Sequence, residues 1–487
     1  MTAAPPPLSL LQQEGAAWLP TPCVTGKHVK LLGDDMGVGK TPQTIEAARQ
    51  QRFRRCLIIG PLIARHMWVD EWKRFWPEDT SPMTEMKLTG QEIPDEGHVV
   101  CTFEFARRRW SDLYIWGRWD VLIVDEWHEI RGTNAARTRA ILHPETGLVA
   151  RCNRLWALTG TPIANHLGEL YPLLKLAGVY TGSLETFIRK FCTTYYDYDR
   201  GQLKITGART ENLPELHRML DDSNIMLRRL KSKAMPDLPP MSYEYITVTK
   251  GEVDLETLFP DWDMSEKMRT LVQEVEFQRN QAWNVLRPEA GVERLSFTQG
   301  VELILSLSES ISELMKLTGM QKVAAVIALI KEELEAGLYP KIFLVTRHTM
   351  VGEALAHGLR DFNPVWLHGG VLGPRRKKQI HKFTHDDTCR VFIGQVRACG
   401  PSVNLSALGK CWEVAFVEQS PVPGENVQAA NRPHRMGCVH PVRVRVFQLD
   451  DPVDQRWEEL VFTKTFHISK TMREDLFFSK EFDPIHG

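Results

Sequence analysis

The stretch LLGDDMGVGKTPQT, residues 31–44, decides the reading of this 487-residue chain. An apolar run, a glycine turn, and Lys40 with Thr41 at the head of a helical pattern follow one another within it. Gly37 and Gly39, beside Met36 and Val38, permit a tight turn that exposes backbone N–H groups. A lysine here can reach β and γ phosphates, and the Thr41 hydroxyl can hold Mg²⁺. The strict pattern wants glycine at position 34, where this chain has Asp34, with Gly33 one place earlier. A lysine-capped turn into a helix is the bland alternative, so other segments must decide.

The length exceeds what one hydrophobic core serves, and 43% hydrophobic residues can fill two or three packed units. Sixty basic against 61 acidic side chains leave a formal charge of −1, so a polyanion would have to be held by local basic patches. The nine cysteines form no CxxC pair and no dense framework, which fits a reducing, intracellular setting. The N-terminus lacks a basic region followed by an apolar core, and nothing approaches the roughly 18 apolar residues of a membrane span. A cytoplasmic, unsecreted protein with no membrane partner is expected.

Short β-rich runs alternate with helical patterns: LIIG at 57–60, VLIVDE at 121–126 and LWALTG at 155–160. This alternation implies an α/β fold with a parallel sheet covered by helices. After about residue 250 the pattern turns helical, in DMSEKMRTLVQEVEFQ and TQGVELILSLSESISELMKL, with no convincing strand before KIFLVT at 341–346. VWLH at 365–368, RVFIG at 390–394, EVAFVE at 413–418 and VRVRVF at 442–447 then imply a second α/β unit. Pro236, Pro239 and Pro240 give the best boundary signal.

VLIVDEWH places Asp125 and Glu126 at a strand end, where an aspartate can bind Mg²⁺ and a glutamate can deprotonate the water that attacks a γ-phosphate. His128 would link that pair to other segments, although acidic residues at a strand end also cap helices. LTGTPIANHLGEL, 158–170, puts Thr159, Gly160 and Thr161 at another strand end, with a hydroxyl turn stopped by Pro162 as the plain reading. QAANRPHRMGC, 428–438, carries Arg432 and Arg435, which would share a helix face if the segment is helical. They read either as a solvated basic face or as an arginine finger from the second unit, a device worth about 10³ to 10⁵ in rate.

Together these residues resemble the Swi/Snf-type ATPases of helicase superfamily two over roughly four-fifths of the 487 residues. SLLQQEGAAWL resembles the family's adenine-sensing segment, with Gln12 at the position that reads the base and Trp18 packing beside it. The family usually has Ala where this chain has Gly33. IIGPLIARHMWVDEWKRF resembles a DNA-facing motif, VVCTFEFARR the next, and IMLRRLKSKAMPDLPPM (225–241) a family-specific string. RVFIGQVRACGPSVNLSAL matches with Arg397, Gly400 and Asn404 in register, while Trp127, Pro401, Ser402 and Cys438 depart from the usual residues. The resemblance implies two RecA-like parallel-sheet domains, a P-loop NTPase tandem, with a helical insertion between them: 1–240, 241–320 and 321–487.

It further implies ATP held by Gln12, Met36, Gly37, Val38, Gly39, Lys40 and Thr41, with Mg²⁺ on Thr41 and Asp125. Catalysis falls to Asp125, Glu126, Arg432 and Arg435, and coupling to His128, Thr159, Gly160, Thr161 and Gln428. DNA contacts fall to Arg228, Arg229, Lys231, Arg397 and Asn404; other basic clusters are Arg107 to Arg109 and Arg375 to Lys378. The implied partner is double-stranded or branched DNA, with room for a protein partner that the sequence does not identify. The leading expectation is a DNA-dependent ATPase that translocates on duplex to remodel forks or displace proteins. A strand-separating helicase or the motor of a defence complex is the alternative, and an ATP-gated DNA clamp the alternative from another class. The short flanks around the motor core point to a bacterial cell or a phage-infected host, and Arg456 to Glu474 reads as a closing helix that braces the first unit.

Overall fold

The structure is a computed structural model that describes residues 5–87, 90–115, 117–130, 135–197, 202–249, 311–371, 373–399, 404–435 and 438–473. They fall into two compact units, mainly Met1–Thr194 with Ile205–Asp237, and Leu238–Ser469. Gly400, Pro401, Ser402 and Gly437 lie outside the described residues, as does the expected helical stretch except for its end in the helix Ile311–Glu335.

In the first unit the strands are β1 (Val29–Leu32), β2 (Cys56–Gly60), β3 (Met83–Glu85), β4 (His98–Thr102), β5 (Val121–Asp125), β6 (Leu155–Leu158) and β9 (Met226–Leu227). They form one sheet in the order β3-β4-β2-β5-β6-β1-β9, every pair parallel. Near-continuous apolar runs such as CLIIG and VLIV make these strands, as burial on both faces of a parallel sheet requires. Register then positions the chemistry: Leu32 and Asp125 both pair with Leu158. The loops leaving β1, β5 and β6 therefore emerge side by side at one sheet edge. β7 (Cys192–Asp197) and β8 (Gln202–Ala208) form a separate two-stranded sheet.

The second unit repeats the plan with β10 (Met241–Val248), β11 (Lys341–Thr346), β12 (Val365–Leu367), β13 (Val391–Gln395), β14 (Cys411–Phe416) and β15 (Val442–Leu449), in the parallel order β10-β15-β14-β11-β13-β12. Ile342 and Leu344 enter one core layer while Phe343 and Val345 enter the other, the period-two signature of a sheet buried on both faces. One element departs from expectation. The sequence places residues 241–248 in the helical insertion, yet MSYEYITV is an edge strand paired along its whole length with β15. Its alternating Tyr, Ile and Val suit a strand with one wet face. Among the described residues no helix is long and apolar enough to cross a membrane.

Candidate active site

β1 hands the chain to the phosphate-type loop at Gly33. Gly37 and Gly39 take left-handed φ angles of 86° and 91°, which glycine adopts without strain. A Cβ on Gly39 would also lie 2.3 Å from Gln12 Nε2. That amide is fixed by the helix Leu10–Trp18: Gln12 Oε1 accepts from Ser9 N at 3.0 Å in a capping box, and Nε2 donates to Val38 O at 3.2 Å. Gln12 thus touches the loop. Trp18 does not join it; its indole N–H donates to Asn224 Oδ1 at 2.6 Å and Lys30 Nζ sits 4.3 Å from the ring centre, at the far end of β1.

Lys40 and Thr41 open the helix Lys40–Gln50, so their N–H groups have no intrahelical acceptor and face the loop. Lys40 Nζ donates to Asp34 O at 2.8 Å and Asp35 O at 3.2 Å. Burial lowers the pKa of this ammonium, against the pull of Glu126, Asp34 and Asp35 in the other direction. The departure at position 34 has a structural reason. Asp34 is fully buried, and its carboxylate accepts from Arg229 N, Nε and Nη2 at 3.1, 2.9 and 2.5 Å and from Gln43 Nε2 at 3.1 Å. A glycine there would leave the Arg229 guanidinium without this anchor.

Arg228, Arg229 and Lys231, expected at DNA, make internal bonds in this structure. Arg228 Nη1 donates to Gly33 O at 2.6 Å and Gly160 O at 3.0 Å, while Lys231 N donates to Asp35 Oδ2 at 3.1 Å. The Arg228 and Arg229 side chains are 11% and 14% exposed. Largely shielded and bonded to internal acceptors, the two arginines tie β9 to the loop after β1. Arg107 and Arg108 pair with Glu104, and Arg109 with Asp112.

Beside this loop, at the end of β5, Asp125 Oδ1 accepts from Glu126 N at 3.0 Å and Oδ2 from Trp68 Nε1 at 2.9 Å. Glu126 has a φ of 54°, a left-handed conformation unfavourable for a side-chain-bearing residue and characteristic of strained functional sites. Burial and the neighbouring Glu126 charge push the Asp125 carboxyl up to about 6. His128 Nδ1 lies 3.3 Å from Glu126 Oε2 and 3.2 Å from Thr159 Oγ1, and Thr159 Oγ1 accepts from Thr161 N at 3.0 Å. Gly160 closes the ring: a Cβ there would meet Met36 Cγ at 2.3 Å. Met36 to Thr41, Asp125, Glu126, His128 and Thr159 to Thr161 therefore form one connected constellation. Trp68, on the helix Leu62–Phe75, escapes the sequence reading because its segment resembles a DNA-facing motif.

The oxygen donors fit Mg²⁺. It is a hard cation usually held by one or two carboxylates plus substrate phosphates, and a buried carboxyl raised by a like charge is relieved by a cation. Among the described residues no cluster of three His, Cys, Asp or Glu offers an all-protein cage instead.

In the second unit Gln428 lies in the last turn of the helix Pro423–Ala430, and Arg432 and Arg435 follow in the turns beyond it. They share no helix face, because the helix stops at Ala430. Arg432 is 3% exposed and its backbone carbonyl accepts from Leu405 N at 3.2 Å. Arg397 pairs with Glu425 at 3.1 Å with its side chain 79% exposed, and Asn404 Oδ1 caps Ser406 N at 3.0 Å.

Comparison with known proteins places this constellation. The SNF2-related domain model matches residues 11–276, more than half of the 487. The chain belongs to the SNF2-related family. It is 26% identical over 442 residues to the human DNA annealing helicase and endonuclease ZRANB3, covering 87% of this chain and 37% of that protein. To the Xenopus tropicalis SWI/SNF-related matrix-associated actin-dependent regulator of chromatin subfamily A-like protein 1 it is 25% identical, covering 85% and 40%. The mouse chromodomain-helicase-DNA-binding protein 1-like is 28% identical, covering 93% and 48%. The chain thus spans less than half the length of these relatives. It also aligns with the Sulfolobus solfataricus SWI2/SNF2 ATPase core in complex with dsDNA, at 20% identity and a TM-score of 0.42, covering 97% of this chain and 96% of that one. The match begins in the first parallel-sheet unit, which carries the nucleotide-type constellation, and a second parallel-sheet α/β unit follows it.

Proposed function

We propose that this chain is an ATP-driven motor that moves along double-stranded DNA and thereby remodels branched DNA or displaces bound proteins. The observation that carries the reading is the chain of contacts from Asp125 through Glu126 and His128 to Thr159 and Thr161, with the Lys40 ammonium within electrostatic reach of Glu126. Such a link couples a hydrolytic site to a neighbouring loop. Glu126 orients the attacking water and accepts its proton; His128, bridging Glu126 and Thr159, transmits the change at that carboxylate. Thr41 and Asp125 would hold Mg²⁺, which neutralises phosphate charge when bound. Lys40 exchanges its two loop carbonyls for the β and γ phosphates. The reading assigns Arg432 and Arg435 to the phosphates when the second unit closes on the first, and Arg397 and Asn404 to the DNA backbone, contacts that carry little sequence information.

The retained Glu126 with both arginines supports turnover over a passive clamp. The names of the relatives, an annealing helicase among them, support action on branched DNA. The test is ATP hydrolysis with and without duplex DNA, beside triplex displacement and fork unwinding. Duplex-stimulated hydrolysis with displacement and no unwinding is expected. DNA-independent hydrolysis would sink the motor reading, and efficient unwinding would replace it with a strand-separating helicase.

A further inference from the structure

A cavity of about 440 Å³ lies in the first unit among residues that the nucleotide constellation does not use. Its walls are the end of the helix Phe103–Arg108, the start of the helix Trp110–Ile115, and one stripe of the helix Ala136–Leu142 with its C-cap. Ala136, Arg139, Ala140 and His143 recur along that stripe at the spacing of one helix face. The two alanines open the space and the arginine and histidine frame it. Opposite them stand Arg107 and Trp110, an indole 38% exposed that makes an edge contact with Tyr114 at 6.3 Å.

The polar groups are mainly donors; the exception is the Thr146 hydroxyl, which meets His143 Nδ1 at 3.0 Å. Among the described residues the Arg139 side chain has no hydrogen-bond or ion-pair partner. Arg107 gives Nε and Nη2 to Glu104 at 2.9 and 2.6 Å, which leaves Nη1 outside the pair. His143 Nδ1 accepts from Thr146 N at 3.2 Å, which places the ring proton of the neutral imidazole on Nε2. Among the described residues no carboxylate lines the cavity. Two guanidiniums, an imidazole N–H, a hydroxyl and an indole face with alanine opposite suit an anion that carries a flat apolar ring. The volume lies within the range of about 300–1,000 Å³ that small-molecule pockets occupy.

We propose that this cavity binds an unpaired nucleotide of a DNA strand, its base against Trp110 and its phosphodiester against Arg139 and His143. The proposal rests on the DNA-motor reading and gives it a substrate feature: a branch or frayed end presents such a nucleotide and a blunt duplex does not. Base stacking on an aromatic side chain tolerates any sequence, which suits an enzyme without sequence preference.

Fluorescence anisotropy with a short labelled oligothymidylate, a fork with one unpaired arm, and a blunt duplex tests it. Trp110→Ala should weaken oligothymidylate and fork binding about tenfold, and Arg139→Ser about fivefold. Blunt-duplex affinity and duplex-stimulated ATP hydrolysis should stay at the wild-type level, which also shows that the variants fold. Wild-type oligothymidylate affinity in both variants would overturn the proposal. So would Trp110-dependent binding confined to thymidine monophosphate, which would assign the cavity to a free nucleotide. If duplex fails to stimulate wild-type hydrolysis while oligothymidylate binding still depends on Trp110, the motor reading falls and the strand site stands.

Discussion

The two parallel-sheet units use some of their buried charges differently. In the first, Asp34 and Asp125 sit in the loops at the functional sheet edge, each held by donors from distant segments, Arg229 in one case and Trp68 in the other. In the second, the buried charges grip the frame. Arg445, 1% exposed in the middle of β15, reaches Glu333 at 2.6 Å, Glu413 at 3.4 Å and Tyr339 Oη at 3.2 Å, and Lys322 pairs with Asp454 at 2.8 Å. The first unit carries a site whose geometry is set before a nucleotide arrives. The second carries its motif arginines, Arg432 and Arg435, on turns after a short helix. Electrostatic preorganisation of this kind belongs where charge develops in a reaction.

The sharpest way to break this contrast is at the catalytic carboxylates. Glu126→Gln should lower ATP turnover by about 10³ or more, the upper range for loss of a positioned base, while nucleotide affinity stays close to wild type. Glu333→Gln, in the second unit's network, should lower the melting temperature and leave turnover per folded molecule intact. Phosphate release and analogue binding measured side by side check both. Equal losses of turnover would show that the second network belongs to the site.

Next in size are the buried pairs. Arg229→Ala leaves the fully buried Asp34 with Gln43 Nε2 and a backbone N–H but no cation, a loss of the kind that costs about 3–5 kcal/mol, whereas Arg445→Met leaves Glu413 on Arg443 and Glu333 on Tyr339 Oη and should cost less. Both variants should melt at lower temperature. Only Arg229→Ala should weaken nucleotide binding, because only Asp34 shares its loop with Lys40. Equal nucleotide affinity in the two variants would erase the distinction between site and frame.

How far the sequence alone reaches follows the same division. The strands around Ile58, Ile123 and Leu344 announce themselves as continuous apolar runs, and Lys40, Thr41, Asp125 and Glu126 follow at strand ends with spacings that carry their chemistry. MSYEYITV does not read as a sheet strand, because an edge strand with one wet face alternates weakly. Arg228, Arg229 and Lys231 read as a basic cluster because a string of cations looks the same whether it faces solvent or a buried aspartate. Only the pairing of β9 with β1 brings Arg229 to Asp34, 195 positions apart in the chain. No local period connects Trp68 to Asp125, 57 positions away across two strands.

A titrating group extends the contrast to pH. Burial, reinforced by Asp454 and opposed by Lys322, pushes the Glu458 carboxyl up to about 8 from an ordinary 4.5, beside the Tyr245 hydroxyl of the edge strand. The native state holds this proton where the unfolded chain has lost it. The stability that it contributes is therefore full below pH 4.5 and falls away as pH rises to about 8. Glu458→Gln should flatten that fall, gaining on the order of 4 kcal/mol over wild type between pH 4.5 and pH 8, since one proton bound only by the native state costs about 1.4 kcal/mol for each pH step of one. Thermal unfolding of both proteins across this range checks it, and a parallel pH dependence in the two would place the titrating charge elsewhere.

The smallest effect tests the finest part of the contrast, one buried tryptophan from each unit. Trp68 gives its indole N–H to Asp125 Oδ2 at 2.9 Å, so Trp68→Phe keeps an aromatic ring in the core and removes one of two donors that orient the carboxylate. Trp457, in the second unit, lies beneath the Arg347 guanidinium at 5.5 Å, and its buried indole N–H has no acceptor among the described residues. A hydrogen bond to a charged group contributes about 1.5–3 kcal/mol. Trp68→Phe should therefore raise the Mg²⁺ concentration needed for half-maximal binding of a fluorescent non-hydrolysable nucleotide about tenfold, with turnover at saturating Mg²⁺ near wild type. Trp457→Phe should leave that requirement where it is. If both substitutions shift it equally, the indole acts through packing alone and Asp125 is oriented by Glu126 N–H without help. If only Trp68→Phe does, the helix after β2 is part of the catalytic edge rather than a wall behind it.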